Sequence, residues 1–243
     1  MTDVYSTSII RNIYRKPSYN SEVTSQIIYG EKIRILETKN SWVKIKTLND
    51  NYIGYIKNKK LKKGLKIILK TNKLKARIFS KNKRKDFLTF NSRLAIINKR
   101  KKFVEFEKGK WIKKQDLKPI KHKEKNFVKI LNLFKYCRYV WGGKSYKGID
   151  CSALIQLYYL YNNKFFPRDT KDQIFFKKGK KKLIEFSKGD IIYWKGHVAI
   201  CIDKKKLIHA YGPRKKVLIM GIKETIELIN KTAKLKIIKI IRI

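Results

Sequence analysis

The chain holds three cysteines and three histidines, few enough to sort one by one. Cys137 sits between Tyr136 and Arg138, in no pattern that suggests a role. Cys201 falls inside Val198-Ala199-Ile200-Cys201-Ile202, an apolar run in which a cysteine packs as a small hydrophobe. Cys151 differs. It follows Gly148-Ile149-Asp150 and opens a segment in which Leu154, Leu157, Tyr158 and Tyr161 recur at i, i+3, i+4 and i+7, one face of a helix. Asp150 stands where an N-cap belongs. A thiol at a helix N-terminus feels the positive end of the dipole, which favours thiolate. The Asp150 charge opposes this, so activation needs a nearby imidazole.

His197 and His209 are the candidates. His197 starts the run Val198 to Ile202, and His209 lies late in Leu207-Ile208-His209-Ala210-Tyr211. The turn between them is Asp203-Lys204-Lys205-Lys206. A hairpin centred there pairs position 200 with 209 and sets 197 against about 212. The even separation of 197 and 209 lets both imidazoles reach one face where the register allows it. Nucleophile, base and orienting group are then available, the logic of a catalytic triad. Spacing alone leaves two other readings open: a buried cysteine with two structural histidines, or a metal held by Cys151, His197 and His209. No CxxC and no His/Cys pair at metal-ligand spacing occurs, so no metal or cofactor is expected. His122 lies among lysines and reads as solvated.

Six motifs in order decide among these readings. They are Tyr139-Val140-Trp141-Gly142-Gly143, Gly148 to Leu154, Pro167-Arg168-Asp169-Thr170 with Gln173, Gly189 to Trp194, Gly196 to Ile200, and Ile208-His209-Ala210. Together they resemble the NlpC/P60 family of papain-like cysteine peptidases, and within it the γ-D-glutamyl–diamino-acid endopeptidases that cut peptidoglycan-derived peptides. The resemblance implies Cys151 as nucleophile, His197 as base and His209 as the polar residue that orients it. It gives Tyr139, with the backbone N–H of Cys151, the oxyanion hole, and it makes Trp141 a wall of the site. Asp150, Ser152 and Thr170 match pocket positions, with Asp150 placed to meet a free N-terminal amine. Arg168 becomes a partner for the free α-carboxylate of a D-Glu linked through its side chain, because Arg pairs bidentately with carboxylate. In relatives with SH3b modules the first module closes the pocket, which points to Glu31 and Tyr52. Three departures stand out: Ala153 replaces a usual Gly, Thr170 a frequent Ser, and Tyr136-Cys137-Arg138 a frequent Gly-Thr-Pro.

The elements that must position these residues divide the chain. Residues 120–243 mix helical and strand signals. Ile191 to Trp194, Val198 to Ile202, Leu207 to Tyr211 and Ile237 to Ile243 read as strands, with Ile222, Ile226 and Ile229 on one face of a short helix. That is an α+β domain, N-terminal helices on an antiparallel sheet. The first half reads as short strands. Trp42-Val43-Lys44-Ile45-Lys46 and Tyr52-Ile53-Gly54-Tyr55-Ile56 alternate at period 2, separated by the turn residues Asn49-Asp50-Asn51. A weak repeat, Tyr55-Ile56-Lys57 with Leu61 and Trp111-Ile112-Lys113 with Leu117, predicts two small barrels, at 1–62 and 63–119. Both resemble bacterial SH3 (SH3b) modules, the first through Tyr29-Gly30-Glu31 and Trp42-Val43.

Composition bounds the rest. The 243 residues carry a formal net charge of +44, with Lys+Arg 62 against Asp+Glu 18. Such a charge suggests a polyanion, because lysine and arginine release counterions from phosphate backbones. It is spread over the whole chain, densest at 63–125, and is mostly lysine, which argues against a dedicated nucleic-acid partner. The longest uncharged run, Cys151 to Asn163, is shorter than the about 20 residues a membrane helix needs. No signal peptide is visible at the N-terminus, so the expected compartment is the cytoplasm, with the cell envelope as the alternative. The expected partner is a peptidoglycan-derived peptide. The competing functions are a basic binding protein for nucleic acid or anionic wall polymer, and an amidase or acyltransferase on the same fold.

Overall fold

The computed structural model describes residues 2–81, 85–182 and 184–243. The chain forms two compact units. The first is Met1–Glu124 with Lys144–Tyr146 and Leu160–Asn163. The second is Lys125–Gly143, Lys147–Tyr159 and Lys164–Ile243.

In the first unit, residues 2–62 build one seven-stranded sheet. Its order is Val23–Ile28, Ile10–Tyr14, Ile53–Lys57, Trp42–Thr47, Lys32–Lys39, Thr2–Ser6 and Leu61–Lys62. The alternating residues explain the curl of this sheet around a core of Val4, Ile13, Ile27, Ile33, Val43, Ile45 and Ile56. Gly54 is required by a close crossing: a Cβ there would lie 2.4 Å from Ile13 Cγ2. Short strands between Leu69 and Pro119 surround a separate core of Ala76, Ile78, Leu88, Leu94, Val104, Phe106, Ile112 and Leu117, which Tyr29 joins. The two repeat motifs hold like places, since Ile56 and Ile112 are each fully buried in their own cluster. His122 is not solvated as expected. It is half-buried, its ring meets Tyr161 edge-on, and its carbonyl accepts the buried Lys70 amine at 2.7 Å.

The second unit carries a five-stranded antiparallel sheet in the order Lys216–Gly221, Lys206–Tyr211, His197–Cys201, Asp190–Trp194 and Lys239–Arg242. Residues of both faces are buried, which is why its strands read as continuous apolar runs rather than alternating ones. On one face Ile192, Trp194, Ala199, Cys201, Leu207 and Met220 pack with Ile222 and Ile229 of the helix Ile222–Ala233. The Asp190 carboxylate, itself buried, holds the Arg242 guanidinium at 2.7 Å and so ties the edge strand to its neighbour. The strand Lys216–Gly221 has no counterpart in the sequence reading, because its residues lack clean alternation. The helix Cys151–Tyr161 is buried on nearly every side, so it has no polar face to mark it as amphipathic. Among the described residues no helix is long and apolar enough to cross a membrane.

Candidate active site

Cys151 is the first residue of its helix, and Asp150 is the N-cap. Asp150 Oδ1 accepts the backbone N–H of Ala153 at 2.8 Å, the N3 donor such a cap satisfies. The N–H of Cys151 has no partner within the helix, as at every helix start. The Cys151 sulfur lies 4.0 Å from the Gly196 carbonyl oxygen and receives the Val198 N–H, so it rests against both neighbours of His197. Burial pushes the thiol up to about 12, and the Asp150 charge adds to this. The N–H groups of Val198 and Ser152, with Arg168, pull the other way. Cysteine in the resting protein is therefore a neutral thiol.

The hairpin register differs from the expectation by one residue. Ile200 pairs with Ile208, not 209, because Asp203 Oδ1 accepts the N–H groups of both Lys205 and Lys206 and tightens the turn. His197 is thereby set opposite Tyr211, with His209 diagonal to it on the same face. The diagonal suffices: His197 Nε2 and His209 Nδ1 are 3.0 Å apart. Tyr211 stacks on His209 with ring centroids 4.8 Å apart, fixing the ring plane. On the far side, His209 Nε2 lies 3.3 Å from the sulfur of Met220. Burial pushes His197 down to about 4 and His209 to about 3, His209 also repelled by His197 and Arg214. Both rings are therefore neutral at pH 7. His197 keeps a half-exposed edge although it is densely surrounded by protein.

Tyr139 is half-buried and near enough to Cys151 and Asp150 for their charges to act on it. Burial, then those charges, raise its phenol above the usual range, so it keeps its proton and can donate. Gly212 lies alongside it: a Cβ there would make ordinary contact with the ring at 3.5 Å. Trp141 is 60% exposed, as a wall open to a ligand would be.

Arg168, expected to meet a substrate carboxylate, already has partners within the protein. Its guanidinium is buried and already engaged: Nη2 donates to Asp150 Oδ2 at 2.6 Å, and Nη1 to Asp150 Oδ1 at 3.1 Å and Ser152 Oγ at 2.9 Å. Ser152 Oγ in turn donates to Asp150 Oδ1 at 3.1 Å. The group foreseen as a clamp for substrate carboxylate thus holds the start of the helix Cys151–Tyr161. Gln173 has a similar task that sequence alone did not assign. Its buried amide donates to the carbonyls of Ser152 (3.1 Å) and Pro167 (2.9 Å). Thr170 opens the short helix Thr170–Gln173 and is nearly buried.

Glu31 and Tyr52 belong to the first unit. The Glu31 carboxylate is buried, with Oε1 on Lys144 Nζ at 2.9 Å and Oε2 on the Ile28 N–H at 2.9 Å. It serves there as the counter-charge of a sealed lysine. Tyr52 packs half-buried on the core of the first barrel. The structure thus gathers Cys151, His197, His209, Tyr139, Asp150, Ser152 and Arg168 in the second unit.

A thiol, a neutral imidazole and a second imidazole on an α+β frame are groups that a cysteine-type peptidase would use. Comparison with known proteins gives the same class. Residues 137–231 match the NlpC/P60 family, and residues 13–61 match the bacterial dipeptidyl-peptidase Sh3 domain. The chain thus carries an NlpC/P60 domain, of the kind found in cysteine-type peptidases, with an SH3-type domain ahead of it. It is 23% identical over 232 residues to dipeptidyl-peptidase 6 of Lysinibacillus sphaericus, covering 84% of this chain and 85% of that one. It is 24% identical over 230 residues to the gamma-D-glutamyl-L-lysine dipeptidyl-peptidase of Bacillus subtilis (strain 168), covering 84% and 77%. The fold matches the crystal structure of an NlpC/P60 family protein from Bacillus cereus ATCC 10987 with a TM-score of 0.78 at 17% identity, over 90% of this chain and 94% of that one.

Proposed function

We propose that the protein hydrolyses the bond between the γ-carboxyl of D-Glu and the α-amine of a diamino acid in peptidoglycan-derived peptides, releasing an N-terminal L-Ala-γ-D-Glu dipeptide. The observation that carries this is the His197–His209 contact of 3.0 Å beside a helix-start thiol. Both relatives are named dipeptidyl-peptidases, which supports a dipeptide product, and the second is named for a gamma-D-glutamyl-L-lysine bond, which supports the bond.

The thiol of Cys151 attacks the γ-carbonyl carbon, and its proton passes to His197. The transfer starts from a neutral thiol and a neutral imidazole, so the proton moves as the sulfur attacks. The oxyanion is met by the Tyr139 hydroxyl and the Cys151 N–H, where one positioned donor is typically worth about 2.7–4 kcal/mol. The C–N bond breaks as His197 returns the proton to the leaving amine. A thioester remains on Cys151. Water, deprotonated by His197, then attacks it, and the sulfur regains its proton as the dipeptide leaves. His209 holds the ring of His197 throughout. Asp150 Oδ2 takes one strong bond from Arg168 and has a second acceptor site for the free amine of L-Ala. An anchored amine fixes the distance to the cleaved bond, which makes the enzyme a dipeptidyl-peptidase rather than a general endopeptidase.

The test is mass spectrometry of L-Ala-γ-D-Glu-L-Lys and its diaminopimelate counterpart, each with a free or N-acetylated alanine. Release of L-Ala-D-Glu from the free peptides alone is expected. Equal rates on the acetylated forms would refute amine recognition, and transfer of the dipeptide to an added amine in preference to water would favour an acyltransferase.

A further inference from the structure

The contact between His209 and Met220 has a consequence for the proton inventory of the site. Met220 stands in the strand Lys216–Gly221, opposite Leu207 and therefore on the sheet face that carries His209. Its side chain is 6% exposed. We propose that Met220 is a positioning residue whose thioether sulfur fixes the tautomers of both histidines, so that His197 presents its bare nitrogen to Cys151. This rests on His197 being the base.

A thioether sulfur carries no proton and can only accept. At 3.3 Å from His209 Nε2, it faces a proton on that nitrogen; otherwise two lone pairs would be pressed together. A neutral imidazole has one N–H, so His209 Nδ1 is bare and must accept. The group 3.0 Å from it, His197 Nε2, is then the donor. His197, also neutral, is left with an unprotonated Nδ1. The thiol can deliver its proton only to that nitrogen. In the opposite order, His209 Nδ1–H would donate to His197 Nε2, and His197 would turn an N–H toward the sulfur of Cys151. No base would remain. Tyr211, stacked on His209 at an interplanar angle of 12°, keeps the ring from turning out of the chain.

Met220 also borders a groove of about 620 Å³ lined in part by Lys135, Tyr136, Arg214 and Glu224. A glutamine at 220 can therefore aim its carbonyl at His209 and its NH₂ into the groove. This gives a pair of variants that separates hydrogen bonding from packing. Met220→Leu keeps the apolar bulk and removes the acceptor. Met220→Gln restores an acceptor and adds polarity. The proposal expects Met220→Leu to lower kcat about five- to tenfold with KM unchanged, the worth of one neutral hydrogen bond, and Met220→Gln to recover most of it. A packing role gives the reverse order, with leucine better than glutamine.

The first readout needs no turnover. Long-range ¹⁵N–¹H NMR of the full chain, which has three histidines to assign, is expected to show His209 protonated on Nε2 and His197 also on Nε2. A His209 protonated on Nδ1 would overturn the proposal, as would wild-type kcat in Met220→Leu or the order leucine above glutamine. If the chain does not cleave wall peptides, the reading of its substrate fails while the NMR result still decides the tautomers.

Discussion

Arg168 offers a perturbation whose size follows from the structure. Its guanidinium and the Asp150 carboxylate are both nearly sealed from water, at side-chain exposures of 2% and 7%, and meet through two N–H···O bonds. Replacing Arg168 with methionine keeps most of the volume and leaves Asp150 a buried charge without its counter-ion. Breaking a buried pair in this way costs about 3–5 kcal/mol. The loss falls on the start of the helix Cys151–Tyr161, because Asp150 also caps that helix and Ser152 hangs from the same cluster. Asp150→Asn should cost a similar amount, although asparagine still caps a helix well. The double variant removes both charges, so its cost should fall short of the sum. The shortfall should lie toward the upper end of the roughly 0.5–3 kcal/mol found between contacting residues. Hydrogen exchange read by mass spectrometry over residues 151–161 measures the local opening free energy directly. Unchanged protection in Arg168→Met, or strict additivity in the double variant, would refute the assignment of Arg168 as a structural clamp. If Arg168 were instead a substrate clamp, its loss would raise KM with helix protection intact.

Other predictions concern catalysis and solution conditions. Because burial holds His197 down to about 4, kcat/KM should fall on the acid side only near pH 4; an acid limb near the ordinary histidine value would contradict the buried-base geometry. The same depressed values make folding pH-dependent. The unfolded chain binds more protons than the folded one between the ordinary histidine value of 6.5 and about 4 for His197 or about 3 for His209. This contribution to stability is therefore complete above pH 6.5 and lost as pH falls through that window, which urea midpoints across pH 4–7 would reveal. Tyr139→Phe should lower kcat by about 10²-fold or more with little change in KM, measured by peptide turnover. The net charge of +44 should draw in acidic peptides, so kcat/KM is expected to drop as ionic strength rises; flat rates from low to high salt would show the charge to be background.

The candidate set Cys151, His197 and His209 was legible because such chemistry leaves a pattern in one dimension. A cysteine after Asp150 at the head of an apolar helix and two histidines twelve residues apart across a short turn mark the positions, while the register decides that the two rings share a face. Ile56 and Ile112, set in like motifs, each lie in a separate buried cluster of the first unit. What the sequence withheld depends on register and on pairing across distance. The side chain of Asp203 moves the hairpin by one residue, which periodicity does not record. Arg168 beside a pocket motif looks like a ligand group, and only the structure reveals that Asp150 and Ser152 already occupy it. Met220 carries no signal at all, being one apolar residue in an apolar strand. Gln173 sits within a motif, but its task of tying Ser152 to Pro167 rests on two buried carbonyls that no spacing announces.

The central claim is that Cys151 carries the dipeptide as a thioester. Rapid-quench mass spectrometry of the full chain mixed with L-Ala-γ-D-Glu-L-Lys tests it most directly. The account predicts an early adduct of the L-alanyl-γ-D-glutamyl acyl group, located on the peptide that contains Cys151 and absent from Cys151→Ala, which releases no dipeptide. Dipeptide release by Cys151→Ala at the wild-type rate, or an adduct on any other residue, would contradict it.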